Sequence, residues 1–504
     1  MTTFELLMQG FQTALSINNF LAAALGAVLG IIVGAMPGIG SLAGVALLLP
    51  LTFKFNPVTG IIMLAAIYYA NMYGGAYSSI LINIPGDGPA VMTAMDGHPL
   101  AKKGEPGKAL FTSNISSFIG GTIGIILLTL VGPALARFGL KFGPVEMASL
   151  LMVAMTSLAW LVGGNPIRGL VSTMIGILLA TIGFDIVVGT PRFHFGSLHL
   201  LGGISFIPLV IGMFGFSRVM EMMDRSNQGD PVEQKLTLRD SLLSKKEWKR
   251  IMPPALRSSF LGTIIGILPG AGATTGSFLG YIMEKKIGKR RDEMGEGMVE
   301  GIAAAEAANN AAAAGAFAPL LSLGIPGSGT GAVLLGGLLM YGLSPGPLLF
   351  QNEPEFAWGL IASLYVANIF TLIVALAIIP FLIRILKVPT QMMVPIITTV
   401  CILGSYSASN SLYGVVLMLI SGVIGYMLSK NNYPIAPLLL AFVLAPKLET
   451  DIRRSFLISD GDPLIFFQKP ISAVLISFLI LTLLSPIIRG LVSRLTARRT
   501  TGTK

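Results

Sequence analysis

Eleven runs of predominantly apolar residues, most of them near the length of a bilayer-crossing helix, leave this chain few ways to fold. A crossing helix needs about 20 such residues. In the first half the runs are 58–82, 109–135, 145–163, 168–190 and 199–217. In the second half they are 300–323, 356–383, 392–408, 411–429, the short 433–446, and 470–493. Only 12% of the residues are charged, roughly half the share of a soluble domain, so most of the surface must face lipid. The expected fold is all-α: a polytopic membrane protein with inverted structural repeats, about 11 crossing helices and two re-entrant hairpins.

Two further apolar stretches, 21–53 and 258–283, are interrupted at their centres. The first carries Pro37-Gly38-Ile39-Gly40-Ser41, the second Pro269-Gly270-Ala271-Gly272-Ala273-Thr274-Thr275. Proline removes a helix hydrogen bond and glycine permits a sharp reversal. The second stretch has Lys and Arg on both flanks, in 245–257 and 285–291. If both flanks stay cytoplasmic, the segment enters and leaves on one side as a re-entrant hairpin; a kinked simple span is the alternative. Each half holds a second break. One is Asn83-Ile84-Pro85-Gly86-Asp87-Gly88, preceded by Asn71, Ser78 and Ser79; the other is Pro326-Gly327-Ser328-Gly329-Thr330, preceded by Glu306, Asn309 and Asn310. Four Pro-Gly-x-Gly breaks in matching order indicate an internal repeat.

Charge placement suggests that the halves are oppositely oriented. Residues 292–383 contain no Lys or Arg, whereas the counterpart of 326–355 in the first half, 85–108, carries Lys102, Lys103 and Lys108. The expected division is 1–217 as first repeat (hairpin 21–53), 218–255 as polar cytoplasmic linker, 256–446 as second repeat (hairpin 258–283), and 447–504 as a C-terminal loop, extra transmembrane helix and basic tail. Lys447, Arg453 and Arg454 fall outside on this count, against the positive-inside rule. The basic clusters lie between apolar spans, which argues against nucleic-acid binding. The single cysteine, Cys401, excludes an internal disulfide, and the three histidines have no metal-ligand spacing. The first 53 residues hold no Lys or Arg, so no cleavable signal is evident.

A break at membrane depth leaves backbone groups without partners unless it lines a polar cavity. The helix N-termini there offer N–H groups and partial positive charge to an anion, as in transporters with discontinuous helices. The expected anion-site residues are therefore Gly38, Gly40, Ser41, Ser78, Ser79, Gly86, Asp87, Gly88, Gly270, Gly272, Thr274, Thr275, Gly327, Ser328 and Gly329. Asn71, Asn309 and Asn310 are the expected cation ligands. Close helix packing is the competing account of any one small hydroxylated residue. Asp87 and Glu306 are intramembrane carboxylates and functional candidates by default. Asp185, Arg192 and His194 fall in a short loop and read as interfacial or structural.

The chain resembles the large membrane subunit of the tripartite tricarboxylate transporter family. The likeness rests on Gly34-x-x-Pro37-Gly38-x-Gly40, Asn83-Ile84-Pro85-Gly86, Met95-Asp96-Gly97-His98-Pro99-Leu100-Ala101-Lys102-Lys103-Gly104, and Gly189-x-Pro191-Arg192-Phe193-x-Phe195-Gly196. It rests also on Gly266-x-x-Pro269-Gly270-x-Gly272 and Leu323-Gly324-Ile325-Pro326-Gly327-Ser328; His194 and Asp87 depart from the pattern. The resemblance implies residence in the bacterial inner membrane, a small membrane subunit and a periplasmic solute-binding protein as partners. It also implies uptake of a di- or tricarboxylate such as citrate, driven by a sodium or proton gradient without any cofactor. The chain has no phosphate-binding loop for ATP. An intramembrane lipid-modifying enzyme or a passive channel is the alternative; no nucleophile–base pair supports the enzyme.

Overall fold

The computed structural model describes residues 2–36, 38–161, 165–185, 187–224, 241–382 and 390–484. Pro37, residues 225–240 of the expected linker and the basic tail beyond 484 lie outside these.

Helix α1 (Thr3–Ala14) opens the chain with a Thr2–Glu5 capping box; its polar residues kept it out of the apolar count. α2 (Ile17–Ala35) and α3 (Gly40–Thr52) flank the first break, and α4 (Pro57–Ile82) and α5 (Ala90–Lys102) flank the second. α6 (Pro106–Gly139), α7 (Pro144–Leu161) and α8 (Pro166–Ala180) follow. The run expected to span 168–190 stops early. Gly183 and Gly189, both at positive φ, turn the chain into a small antiparallel pair, β1 (Gly183–Phe184) and β2 (Pro191–Arg192), so that among the described residues a helical fold carries one hairpin of strands. Next come α9 (Leu198–Leu201), α10 (Phe206–Val210), a π-helical turn at Ile211–Phe216, and α11 (Ser217–Asp224). The last three form one helix that runs on past the boundary expected at residue 217.

In the second half α12 (Lys245–Ile267) and α13 (Gly272–Ile287) flank the third break. α14 (Val299–Gly315) continues with a kink into α15 (Phe317–Leu323), and α16 (Gly329–Met340) lies beyond the fourth break. α17 (Leu349–Asn352) and α18 (Pro354–Ile378) follow, then α19 (Thr390–Ser409), α20 (Leu412–Lys430), α21 (Ile435–Ile458), α22 (Ile465–Gln468) and α23 (Pro470–Leu484). Among the described residues six helices are long and apolar enough to cross a membrane, and several shorter apolar ones accompany them.

The core is built on α4 and α14, which are buried along almost their whole lengths. Small residues let their neighbours approach closely. Along α2, a methyl group on Gly26, Gly30 or Gly34 would come within 2.6 Å of the α4 carbonyls of Met63, Ile67 and Asn71. Along α12, Gly262 and Gly266 sit the same way against Ala308 and Ala312 of α14, at 2.3 and 2.2 Å. Contacts between the halves are reciprocal too: α4 and α2 pack on α18, α14 and α12 on α6, α3 on α16, and α13 on α5.

Of the three basic residues that the charge count left outside, Arg453 and Lys447 are paired. Arg453 donates to Asp185 (2.8 Å) and Glu449 (2.6 Å), Arg192 makes a two-pronged pair with Glu449, and Lys447 lies 3.4 Å from Asp451. The Val188 N–H, with that of Val187 and Arg453, holds the Asp185 carboxyl down to about 2.

Candidate functional site

The four breaks meet at the centre of the molecule. A cavity of about 340 Å³ lies between the starts of α3, α13 and α16 and the second break. It is lined by Ser41, Asp87, Gly270, Gly272, Thr274, Thr275, Ser328, Gly329 and Thr330, with Tyr68, Met72, Leu158 and Ala436 among the rest. The tips touch across the halves. Ser41 Oγ lies 3.0 Å from Thr330 Oγ1, and a methyl on Gly88 would come within 2.9 Å of Thr274 Oγ1. Gly38, Gly40, Gly270 and Gly272 all have positive φ, the conformation that the reversals demand and that glycine adopts without strain. Asp87 is the only charged residue in this lining.

The helix N-termini here differ in what occupies them. Asp87 Oδ2 accepts from the Ser41 N–H at 2.9 Å, so a carboxylate of the protein already sits at the start of α3; its Oδ1 accepts from its own neighbour Gly88. Ser328 Oγ accepts from the Gly331 N–H at 3.1 Å and caps α16. At the start of α13 no side chain caps the helix. Its first-turn N–H groups have no partner within the helix, and Gly272, Ala273, Thr274 and Thr275 of that turn line the cavity.

A second cavity of about 360 Å³ adjoins the first, with Asp87 and Leu42 in both walls. Gly38, Gly40, Gly86 and Gly88 line it, opposite Ser217, Arg218, Glu221 and Ser429. Arg218 leans over Gly38, where even a methyl would meet its guanidinium, and is ion-paired to Glu221. Sequence reasoning missed Arg218 because it assigned residue 218 to the linker. A π-turn, a device common at functional sites, lies just before it at Ile211–Phe216.

The remaining expected residues lie away from both cavities. Ser78 and Ser79 are buried and donate to the Gly75 carbonyl of their own helix. Gly327 packs near the Gly266 carbonyl. Asn71 is fully buried beside Gly44, with neither amide atom hydrogen-bonded. Asn310 donates to the Glu306 carbonyl, while the side-chain oxygens of Asn309 and Asn310 lack partners. The side-chain oxygens of all three amides are thus without partners, but Asn71 does not share a helix with the others. Among the described residues no cluster of three or more His, Cys, Asp or Glu side chains could hold a metal ion.

The segment Met95-Asp96-Gly97-His98 forms a clasp. Asp96 is fully buried; its Oδ1 accepts from the N–H groups of Gly295, Gly297 and Met298, and its Oδ2 from the Tyr281 hydroxyl. His98 Nδ1 lies 3.0 Å from the Ile80 carbonyl. The motif therefore ties α5 to α4, to α13 and to the loop that starts α14.

Helices that break around a shared polar cavity inside a multi-pass membrane protein are the architecture of the transporter class. Residues 20–440 match the tripartite tricarboxylate transporter TctA family, and the chain belongs to that family. It is 39% identical over 469 residues, covering 93% of both chains, to an uncharacterized 52.8 kDa protein in the TAR-I ttuC' 3' region of Agrobacterium vitis. It is 40% identical over 215 residues, 43% of this chain and 89% of the relative, to an uncharacterized protein in the TAR-II ttuC' 3' region of the same organism. No solved structure matches the chain.

Proposed function

We propose that this chain is the conducting membrane subunit of a cation-coupled carboxylate uptake system, and that it binds one carboxylate of its solute at the start of α13. The uncapped α13 N-terminus, facing a cavity with Thr274 and Thr275 beside it, carries this reading. N–H groups and helix dipole there favour an anion, and the neighbouring hydroxyls add donors. With Asp87 in the same cavity wall, a di- or tricarboxylate such as citrate needs further compensation. A co-transported sodium ion or proton supplies it. Anionic solute and cation coupling are in that sense one prediction.

The reciprocal contacts between the halves support an inverted repeat, with α2–α3 and α12–α13 as hairpins entering from opposite faces of the bacterial inner membrane. Movement of one bundle against the other alternates access to the cavities. A periplasmic solute-binding protein delivers the carboxylate, and a small membrane subunit completes the assembly; family membership supports both.

The test is uptake of labelled citrate and shorter dicarboxylates into proteoliposomes holding this chain, the small subunit and the binding protein. Accumulation should require a sodium or proton gradient, and T274V/T275V should weaken the apparent affinity. Undiminished uptake with no gradient of either ion overturns the coupling, and unchanged affinity in the double variant overturns the site.

A further inference from the structure

Glu306 lies on α14 with none of its surface exposed. Its Oε2 accepts from Ser117 Oγ of α6 at 2.8 Å, and its Oε1 is in hydrogen-bond contact with Thr93 Oγ1 of α5. Among the described residues no Lys, Arg or His forms an ion pair with it. The ion pairs and charged hydrogen bonds that the helices packed on α14 do make are directed elsewhere. On α12, Arg250 pairs with Glu300 and Arg257 with Glu284 of α13; on α6, Lys108 pairs with Glu105 and Glu247. On α13, Tyr281 donates to Asp96 of α5, whose other oxygen takes three backbone N–H groups, and His98 of α5 contacts the Ile80 carbonyl. On α4, Tyr73 donates to Asn368 and Tyr77 to Asn114, while Tyr68 and Tyr69 carry no positive charge.

An isolated carboxylate buried among neutral groups costs far more to ionise than two hydroxyl donors return. The enclosed group is stable when it carries a proton. A protonated Oε1 donates to Thr93 Oγ1 while Oε2 accepts from Ser117.

We infer that Glu306 is the coupling-proton site, a reading that rests on the cation-coupled uptake proposed above. Thr93 provides the link to the solute. It stands one turn into α5, directly after Gly88 and Pro89, which line the central cavities, and Ser277 of α13 donates to the Pro89 carbonyl. A shift of α5 or α13 on solute binding moves Thr93 against Glu306. Once water reaches the group, the O–H bond breaks and leaves a hydrated proton and a carboxylate. Rebinding of a proton on the other side restores the neutral acid.

The experiment compares wild-type protein with Glu306→Gln, which keeps the shape of the protonated acid but can release no proton. E306Q should lose at least tenfold in proton-driven accumulation and keep counterflow exchange of labelled for unlabelled carboxylate within twofold. Infrared difference spectra of the wild type should show a protonated carboxyl band that E306Q lacks. Accumulation by E306Q with the wild-type pH dependence overturns the assignment. So does joint loss of accumulation and exchange in a variant with a wild-type melting temperature, or a wild-type response to sodium alone that E306Q abolishes. Absence of gradient-driven uptake in the wild type is a different result and overturns the reading of the previous subsection.

Discussion

The hydroxyls of Ser41 and Thr330 lie 3.0 Å apart, one in the first turn after the first break and the other in the first turn after the fourth. The contact joins the two halves at the cavity wall, so it must part or shift if the halves move against each other. Cross-linking S41C to T330C should hold them in this state, since such a separation is within reach of a disulfide. Uptake should fall to background under oxidation and recover on reduction, with little interference from the single, buried Cys401. Single alanine substitutions remove only a hydrogen bond of about 0.5–1.5 kcal/mol, a change of roughly twofold to tenfold in apparent affinity. Full activity of the oxidised double variant, with the cross-link verified by mass, would rule out movement at this contact.

Asp87 places a negative charge in the wall shared by both cavities. Asp87→Asn keeps an oxygen for the Ser41 N–H and removes the repulsion toward an anionic solute. Two unit charges about 8 Å apart interact by about 2 kcal/mol at an effective dielectric near 20, so carboxylate affinity should rise by roughly tenfold or more. Solute protection against thermal unfolding in detergent measures it. Weaker binding by D87N would mean that Asp87 holds a cation for the solute.

The close approach of α12 to α14 rests on the absence of a side chain at residue 266. A methyl group there would lie 2.2 Å from the Ala312 carbonyl oxygen, and backbone on both sides cannot yield cheaply. Gly266→Ala should destabilise by about 1–3 kcal/mol, seen as a lower melting temperature and reduced yield. Gly202→Ala, where nothing lies within 4 Å, is the control and should melt like the wild type. Equal melting of the two variants would remove the packing argument.

The breaks, and Ser41, Asp87, Thr274, Thr275 and Ser328 of the 340 Å³ cavity, could be read from sequence because Pro-Gly-x-Gly in an apolar run has few physical meanings. Other features could not. The run through Phe184, Val187 and Val188 is as apolar as a helix, yet the glycines at 183 and 189 fold it into a surface hairpin, and those three side chains are exposed. Arg218 looked like the start of a linker because polarity alone marks no boundary within a helix. Ser78 and Ser79 carry the right donors, but their rotation about α4 directs them to their own backbone. Which N-terminus stays open was only half visible: Ser328 caps its own helix locally, but Asp87 reaches the start of α3 through a contact that the fold alone creates.

The Asp96 clasp separates structural from transport roles within the family-typical segment 95–104. Four donors converge on one carboxylate: three N–H groups at the entry to α14 and the Tyr281 hydroxyl, all at 2.7–2.9 Å. Asp96→Ala strands those donors in a buried site, and an unsatisfied buried donor costs about 1–3 kcal/mol. The expected loss is therefore several times that of Tyr281→Phe, which removes one donor and leaves the three N–H bonds intact. Thermal unfolding in detergent should rank wild type above Y281F and Y281F well above D96A. Neither residue lines either of the two central cavities, so Y281F, which folds, should keep the wild-type apparent affinity for solute. A large shift in that affinity would move Tyr281, and with it the clasp, into the transport pathway.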